Sequence, residues 1–162
     1  SMRPKVTLLS IAEDQSFKSA RDYGLKECRH IAVLRFDGQL FYANAGFLED
    51  SINNLIESKP ELRHILIVGN GINDMDASGE EMLSLIVERV RSAGYDISFS
   101  GLNEKVLAVM ERTHLMEKIG VNNVFPTVAK TVESIHIRAH TQCGAGACPL
   151  LSVCFIDGHV TR

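Results

Sequence analysis

Apolar positions along the chain follow two rhythms. KVTLLSI (5–11), IAVLRF (31–36) and YDISFSG (95–101) are short runs rich in strand formers, and ILIVG (65–69) is continuously apolar, as a strand covered on both faces should be. Between them apolar residues recur at helical spacing. One set is Leu48, Ile52, Leu55 and Ile56, and a second is Met82, Leu83, Ile86, Val87 and Val90. Val106, Val109 and Met110 predict a third helix, and Val128, Val132 and Ile135 a last one. The punctuation agrees: Asn44, Asn103 and Thr127 stand where N-caps are needed, Lys59-Pro60 closes the first helix and Gly94 the second. Asp37-Gly38 followed by QLFY (39–42) predicts a small hairpin. VNNVFPT (121–127) predicts a short extended piece, and residues 12–30 are polar and irregular with some helix around 19–26. Strands thus alternate with helices, which predicts an α/β fold: a mainly parallel sheet of four to five strands with crossover helices.

In such a sheet the loops leaving the carboxyl ends of the strands gather on one rim. Here those loops are Tyr42–Asn44, Asn70–Ala77 and Gly101–Asn103. The middle one is the most polar, so Asn44, Asp74, Asp76, Ser78, Gly79 and Asn103 form the candidate partner- or ligand-binding rim. Ser78-Gly79-Glu80-Glu81 has the spacing of a capping box, which assigns the cap to Ser78, with Asp76 as the alternative. A helix N-terminus also favours a phosphate, and a phosphoryl on Ser78 would add about −1.5 to −2 charge. Asp74, Asp76, Glu80 and Glu81 would repel it, so phosphorylation is expected to break a docking surface rather than to order the loop.

Bulk properties narrow the classes. With 162 residues, 45% hydrophobic and 23% charged, the chain suits one domain with a sizeable core. A net charge of −3 and only 6% aromatics, with no tryptophan, argue against nucleic acid as a partner. No run approaches the roughly 20 apolar residues that span a bilayer. Ser1-Met2 reads as the scar of a removed tag, so a longer natural chain is expected. Neither a P-loop nor G-x-G-x-x-G is present, no catalytic set can be assembled from spacing, and no enzyme activity or cofactor is expected. His30, His64 and His114 sit near predicted element ends, where surface or capping roles are usual, and Cys28 reads as a small, partly buried residue.

ILIVG followed by NDMDASG resembles the signature of STAS domains (sulfate transporter and anti-sigma factor antagonist). RFDGQLFYANAGFLEDSI, VLAVMERTHLMEKIGVNNVFPTV and RPKVTLL narrow the likeness to the cytoplasmic C-terminal STAS domain of bacterial sulfate-permease-type (SulP) anion transporters, over roughly residues 3–138. The resemblance implies a non-catalytic regulatory and protein-interaction domain of a membrane sulfate or related anion transporter. It would lie at the cytoplasmic face of the inner membrane, with the transporter's transmembrane portion as partner. In free-standing anti-sigma factor antagonists the serine of D-x-S-G is phosphorylated by a kinase, and that position matches Ser78, the candidate phosphoacceptor. Some relatives bind a nucleotide or acyl carrier protein, and no residue pattern here selects either. A free-standing phospho-switch and a nucleotide-binding module are therefore the competing readings.

The tail is separate. Residues 1–140 are read as the domain and 141–162 as a cysteine-containing C-terminal tail. His140, Cys143, Cys148 and Cys154 are ligands of the zinc type, but their gaps miss the tight C-x₂-C spacing, and a mobile chain end is the plainer expectation. LLSVCFI (150–156) is apolar enough to predict an added edge strand, on this domain or on a neighbour in a homodimer.

Overall fold

A computed structural model of the protein describes residues 3–139 and 148–150. The chain order is β1 (Lys5–Ile11), β2 (Phe17–Ser19), α1 (Ala20–Tyr23), β3 (Ile31–Leu40), α2 (Tyr42–Ser58), β4 (His64–Met75), α3 (Ala77–Ser92), β5 (Asp96–Ser100), α4 (Glu104–Arg112), α5 (Leu115–Ile119), β6 (Val124–Phe125) and α6 (Val128–Ala139). The strands form one sheet in the order β2-β1-β3-β4-β5-β6. β3, β4, β5 and β6 run parallel, while β1 is antiparallel to both β2 and β3. Among the described residues the sheet therefore has six strands rather than four to five: the extended piece expected at 121–127 supplies β6, and β2, with Phe17 as its one apolar residue, does not stand out in the sequence.

Two-residue alternation divides the strand side chains between two cores. Leu34, Phe36, Ile65, Ile67, Ile97 and Phe99 face the side covered by α2, α3, α4 and α5. Leu9, Ile31, Val33, Leu66 and Val68 face the other side, where Val132 and Ile135 of α6 pack. Leu150 is buried in this second core and Cys148 packs against it. The unbroken apolar run of β4 is thus explained by cover on both faces.

Several expectations are corrected. Asp37-Gly38 makes no hairpin: β3 runs on to Leu40 and pairs with β4 as far as Leu40 opposite Met75. The register shifts on either side of Asp37-Gly38, and Gly38 has φ of +141°, so the permissiveness that makes Asp-Gly a turn signal here serves a bulge. Residues 70–75 are strand rather than loop, held by that same pairing. The third helix ends at Arg112, and a separate short helix, α5, follows His114, whose φ is +64°. His114 is exposed as expected, but His30 and His64 are buried. His64 Nε2 lies 2.7 Å from Ser98 Oγ inside the second core, and His30 Nε2 lies 4.0 Å from Glu61. Cys28 is fully buried, its sulfur accepting from the backbone of His30 and Ile31. The predicted strand at 150–156 lies outside the described residues apart from Leu150.

Candidate functional site

β3, β4 and β5 end on one edge of the sheet, and α2, α3 and α4 start there. The connections are tight: a single residue, Asp76, separates β4 from α3. Asp76 has extended backbone, and its Oδ1 accepts from the Gly79 N–H at 2.7 Å. Asp76 is therefore the N-cap of α3, and Ser78 sits in the first turn of the helix. The cap assigned to Ser78 is corrected accordingly. The strand continues to Met75, so the chain enters the helix at Asp76, and a carboxylate reaching three residues ahead fills the cap. The Ser78 hydroxyl donates to the same Oδ1 at 2.9 Å and remains exposed. Glu81 makes no reciprocal bond among those described, being two residues beyond the capping-box position.

Gly79 is buried because α3 begins against the end of β3. A Cβ there would collide with the Leu40 carbonyl. Asn44 also departs from expectation: α2 starts at Tyr42 with Phe41 as its uncapped N-cap residue. The Asn44 amide instead donates to Gln39 O at 2.7 Å, tying the first turn of α2 back to β3. Asn103 caps α4 as expected, accepting from Val106 N–H at 2.8 Å, and its amide donates across to the carbonyls of Ile72 (3.1 Å) and Asn73 (3.3 Å). Asp74 accepts from the Met75 N–H and pairs with Lys105 of α4 at 3.2 Å. The hydrogen bond from Lys105, followed by that from the Met75 backbone, holds the Asp74 carboxyl below the ordinary aspartate value of 3.8.

The residues of the expected rim thus lie at neighbouring strand–helix junctions, with Gly79 buried beneath the others. Asp74 and Asn103 are joined across β4 and α4, Asp76, Ser78 and Gly79 share one carboxylate oxygen, and Asn44 meets them through Gln39-Leu40. The sequence reading missed its apolar lip. Tyr42 is 67% exposed and Phe47 39% exposed. With Met82 of α3 they line a cleft of about 450 Å³ between α2 and α3. The available signal was that both aromatics fall off the Leu48-Ile52-Leu55 face, where a surface helix ordinarily carries polar residues. Arg89 and Glu49 clasp the two helices at 2.8 Å farther along.

The zinc-type set falls mostly outside the described residues. His140, Cys143 and Cys154 lie outside the described residues, Cys148 rests against the second core, and no group of three metal-ligating side chains occurs among the described residues. No described helix is long and apolar enough to cross a membrane.

Comparison with known proteins places this architecture. Sulfate transporter 3.2 of Arabidopsis thaliana is 21% identical over 150 residues, covering 86% of this chain but 23% of the relative. The chain thus spans about a quarter of that relative's length. Among solved structures, the murine Slc26a9 anion transporter matches 85% of this chain with 23% of its own, at TM-score 0.70 and 15% identity. The SulP transporter STAS domain of Vibrio cholerae matches 75% of this chain with 94% of its own, at TM-score 0.58 and 18% identity. An anti-sigma factor antagonist of Mycobacterium paratuberculosis matches 82% with 95% of its own, at TM-score 0.55 and 14% identity. These likenesses show a shared fold. The STAS domain family profile matches residues 24–131, well over half of the sequence, and the chain belongs to the STAS domain family.

Proposed function

We propose that this chain is the regulatory docking domain of a sulfate-permease-type membrane anion transporter, acting without catalysis at the cytoplasmic face of the membrane. Its partner is the transmembrane portion of the same protein, and its working surface is the rim of Asn44, Asp74, Asp76, Ser78, Gly79 and Asn103 together with the Tyr42–Phe47 lip. The observation that carries this reading is the contrast along the rim. Asn44, Asp74, Asp76 and Asn103 hold the strand–helix junctions together, while the Ser78 hydroxyl and two aromatic side chains face solvent. Exposed aromatics beside polar groups are what a protein interface uses as anchors. The similarity to sulfate transporters over a part of their length supports the rest.

The test is sulfate uptake by the full-length transporter in proteoliposomes. Ser78→Ala should leave uptake unchanged. Ser78→Asp keeps the Asp76 cap but adds charge at the rim, and should depress uptake at unchanged protein level. Equal uptake by wild type and Ser78→Asp would remove the rim from the docking account. Absence of uptake of any oxyanion by the wild type would remove the transporter reading.

One feature favours a phospho-switch at the same place. Because Asp76 does the capping, the Ser78 hydroxyl is free to be modified without loss of the helix start. A phosphoryl there would face Asp76 and the first-turn Glu80. Mass spectrometry of the protein purified from its native host reads this directly: a phosphate on Ser78 supports the switch, and its absence under all growth conditions counts against it.

A further inference from the structure

The cleft between α2 and α3 combines features that the packing of the domain does not call for. Its two rings, Tyr42 and Phe47, are exposed. Its two charged lining residues, Glu49 and Asp50, are both acidic, and no lysine or arginine lines it. Glu49 holds Arg89 at 2.8 Å, whereas Asp50 is exposed and has no ion pair among the described residues. Gly46 also lines the cleft, from the interior of α2. Glycine weakens a helix interior relative to alanine, so it needs a reason there. None comes from the domain's own packing: a Cβ at Gly46 would meet nothing within 4 Å, and its φ is not positive. What the missing side chain does is leave the cleft open.

We propose that this cleft receives an arginine side chain from a cytoplasmic segment of the membrane portion. The guanidinium lies against the Tyr42 ring and pairs with Asp50, and its methylene stem runs over Gly46 toward Met82. This rests on the docking reading above and names the chemistry of the partner. Charge complementarity selects the occupant. Cytoplasmic loops of membrane proteins carry an excess of lysine and arginine, and the cleft meets them with carboxylates alone. A ring face attracts a cation, and a planar guanidinium can stack on the ring while it pairs with a carboxylate, which an ammonium does less well. The Arg89–Glu49 pair shows the wall of the cleft already engaging a guanidinium from within the domain.

Amide NMR of the 162-residue chain titrated with N-acetylarginine methylamide tests the site on its own. The amides of Tyr42–Asp50 and Met82 should shift saturably, with a Kd about threefold lower than for N-acetyllysine methylamide. Asp50→Asn should weaken binding by about as much, and Gly46→Leu, which fills the cleft, should abolish the shifts while the β4 amides keep their positions. Shifts spread evenly over the exposed carboxylates, or equal binding by the two variants and the wild type, would overturn the proposal. So would tetramethylammonium binding as tightly as the arginine probe, which would give the cleft to a small quaternary ammonium ligand. Hydrogen exchange of the full-length transporter then separates this inference from the docking reading. Asp50→Arg should return the Tyr42–Phe47 peptide to the fast exchange of the isolated domain. If the peptide is slow in the wild type and stays slow in Asp50→Arg, docking stands and the arginine falls. If it is fast in the wild type, the docking reading falls and takes the occupant with it.

Discussion

The assignment of the α3 cap to Asp76 rather than to Ser78 separates two substitutions that the sequence alone would rank the other way. Asp76→Ala removes the acceptor of the Gly79 N–H, a 2.7 Å bond, and also the partner of the Ser78 hydroxyl. Loss of an N-cap costs about 0.5–2 kcal/mol. Gly79 is buried against Leu40, so water cannot readily replace the lost acceptor, and the cost should fall in the upper half of that range, about 1–2 kcal/mol. Ser78→Ala removes an exposed hydroxyl that only donates, and puts a better helix former in the first turn. Its effect should stay within about 0.5 kcal/mol. Urea unfolding followed by circular dichroism measures both, and an unchanged m-value confirms that the midpoint shift reports native stability. Asp76→Asn keeps an oxygen acceptor and should lose only the charge term at the helix start, about 0.3–1 kcal/mol. A larger loss for Ser78→Ala than for Asp76→Ala would refute the cap assignment and the account of a hydroxyl left free for another role.

Other outcomes follow from the same rim. Gly79→Ala should destabilise by about 1–3 kcal/mol despite alanine's better helix propensity, because its methyl meets a backbone carbonyl of β3; thermal unfolding shows it, and a gain in stability would contradict the close approach. Asn103→Ala should cost about 1–2 kcal/mol in urea, since it loses both the α4 cap and the tie to β4, and Asn103→Asp should restore only the cap. Lys105→Met should raise the Asp74 titration midpoint toward 3.8, as read by carboxyl NMR, and an unmoved midpoint would remove Lys105 as the main cause of the lowering. Because the folded value lies below the unfolded one, ionised Asp74 favours the fold at neutral pH. That contribution fades as pH falls from the unfolded value near 3.8 through the lowered folded value.

Periodicity made the main frame legible. β1 was bounded at Lys5–Ile11 as its apolar run suggests, the core faces of α2 and α3 are the recurring residues, and Asn103 and Thr127 cap where they were expected to. What escaped is what pairing partners decide. Asp37-Gly38 has the chemistry of a turn, yet β4 offers a strand to pair with, and the glycine becomes a bulge. The segment 70–75 looks like a loop because Asn, Gly and Asp fill four of its six places, but its backbone is held by β3 and Ile72 and Met75 are buried in the first core. That displacement moved the cap from Ser78 to Asp76. His30 and His64 were expected near the surface because a polar residue by itself does not reveal the Glu61 or Ser98 that lies beside it in the fold. The Tyr42–Phe47 lip was legible in principle, since both aromatics fall off the Leu48-Ile52-Leu55 face, but spacing alone does not say that the packing leaves them outside.

The central claim is that the rim at the carboxyl ends of β3 to β5 docks on the membrane portion of the protein. The most direct measurement is hydrogen–deuterium exchange by mass spectrometry, comparing the isolated domain with the full-length transporter in detergent or nanodiscs. Peptides covering Tyr42–Phe47 and Asp74–Met82 should exchange several-fold more slowly in the full-length protein, with the α6 surface unchanged. Equal exchange of those peptides in the two forms, or slowing confined to α6, would contradict it.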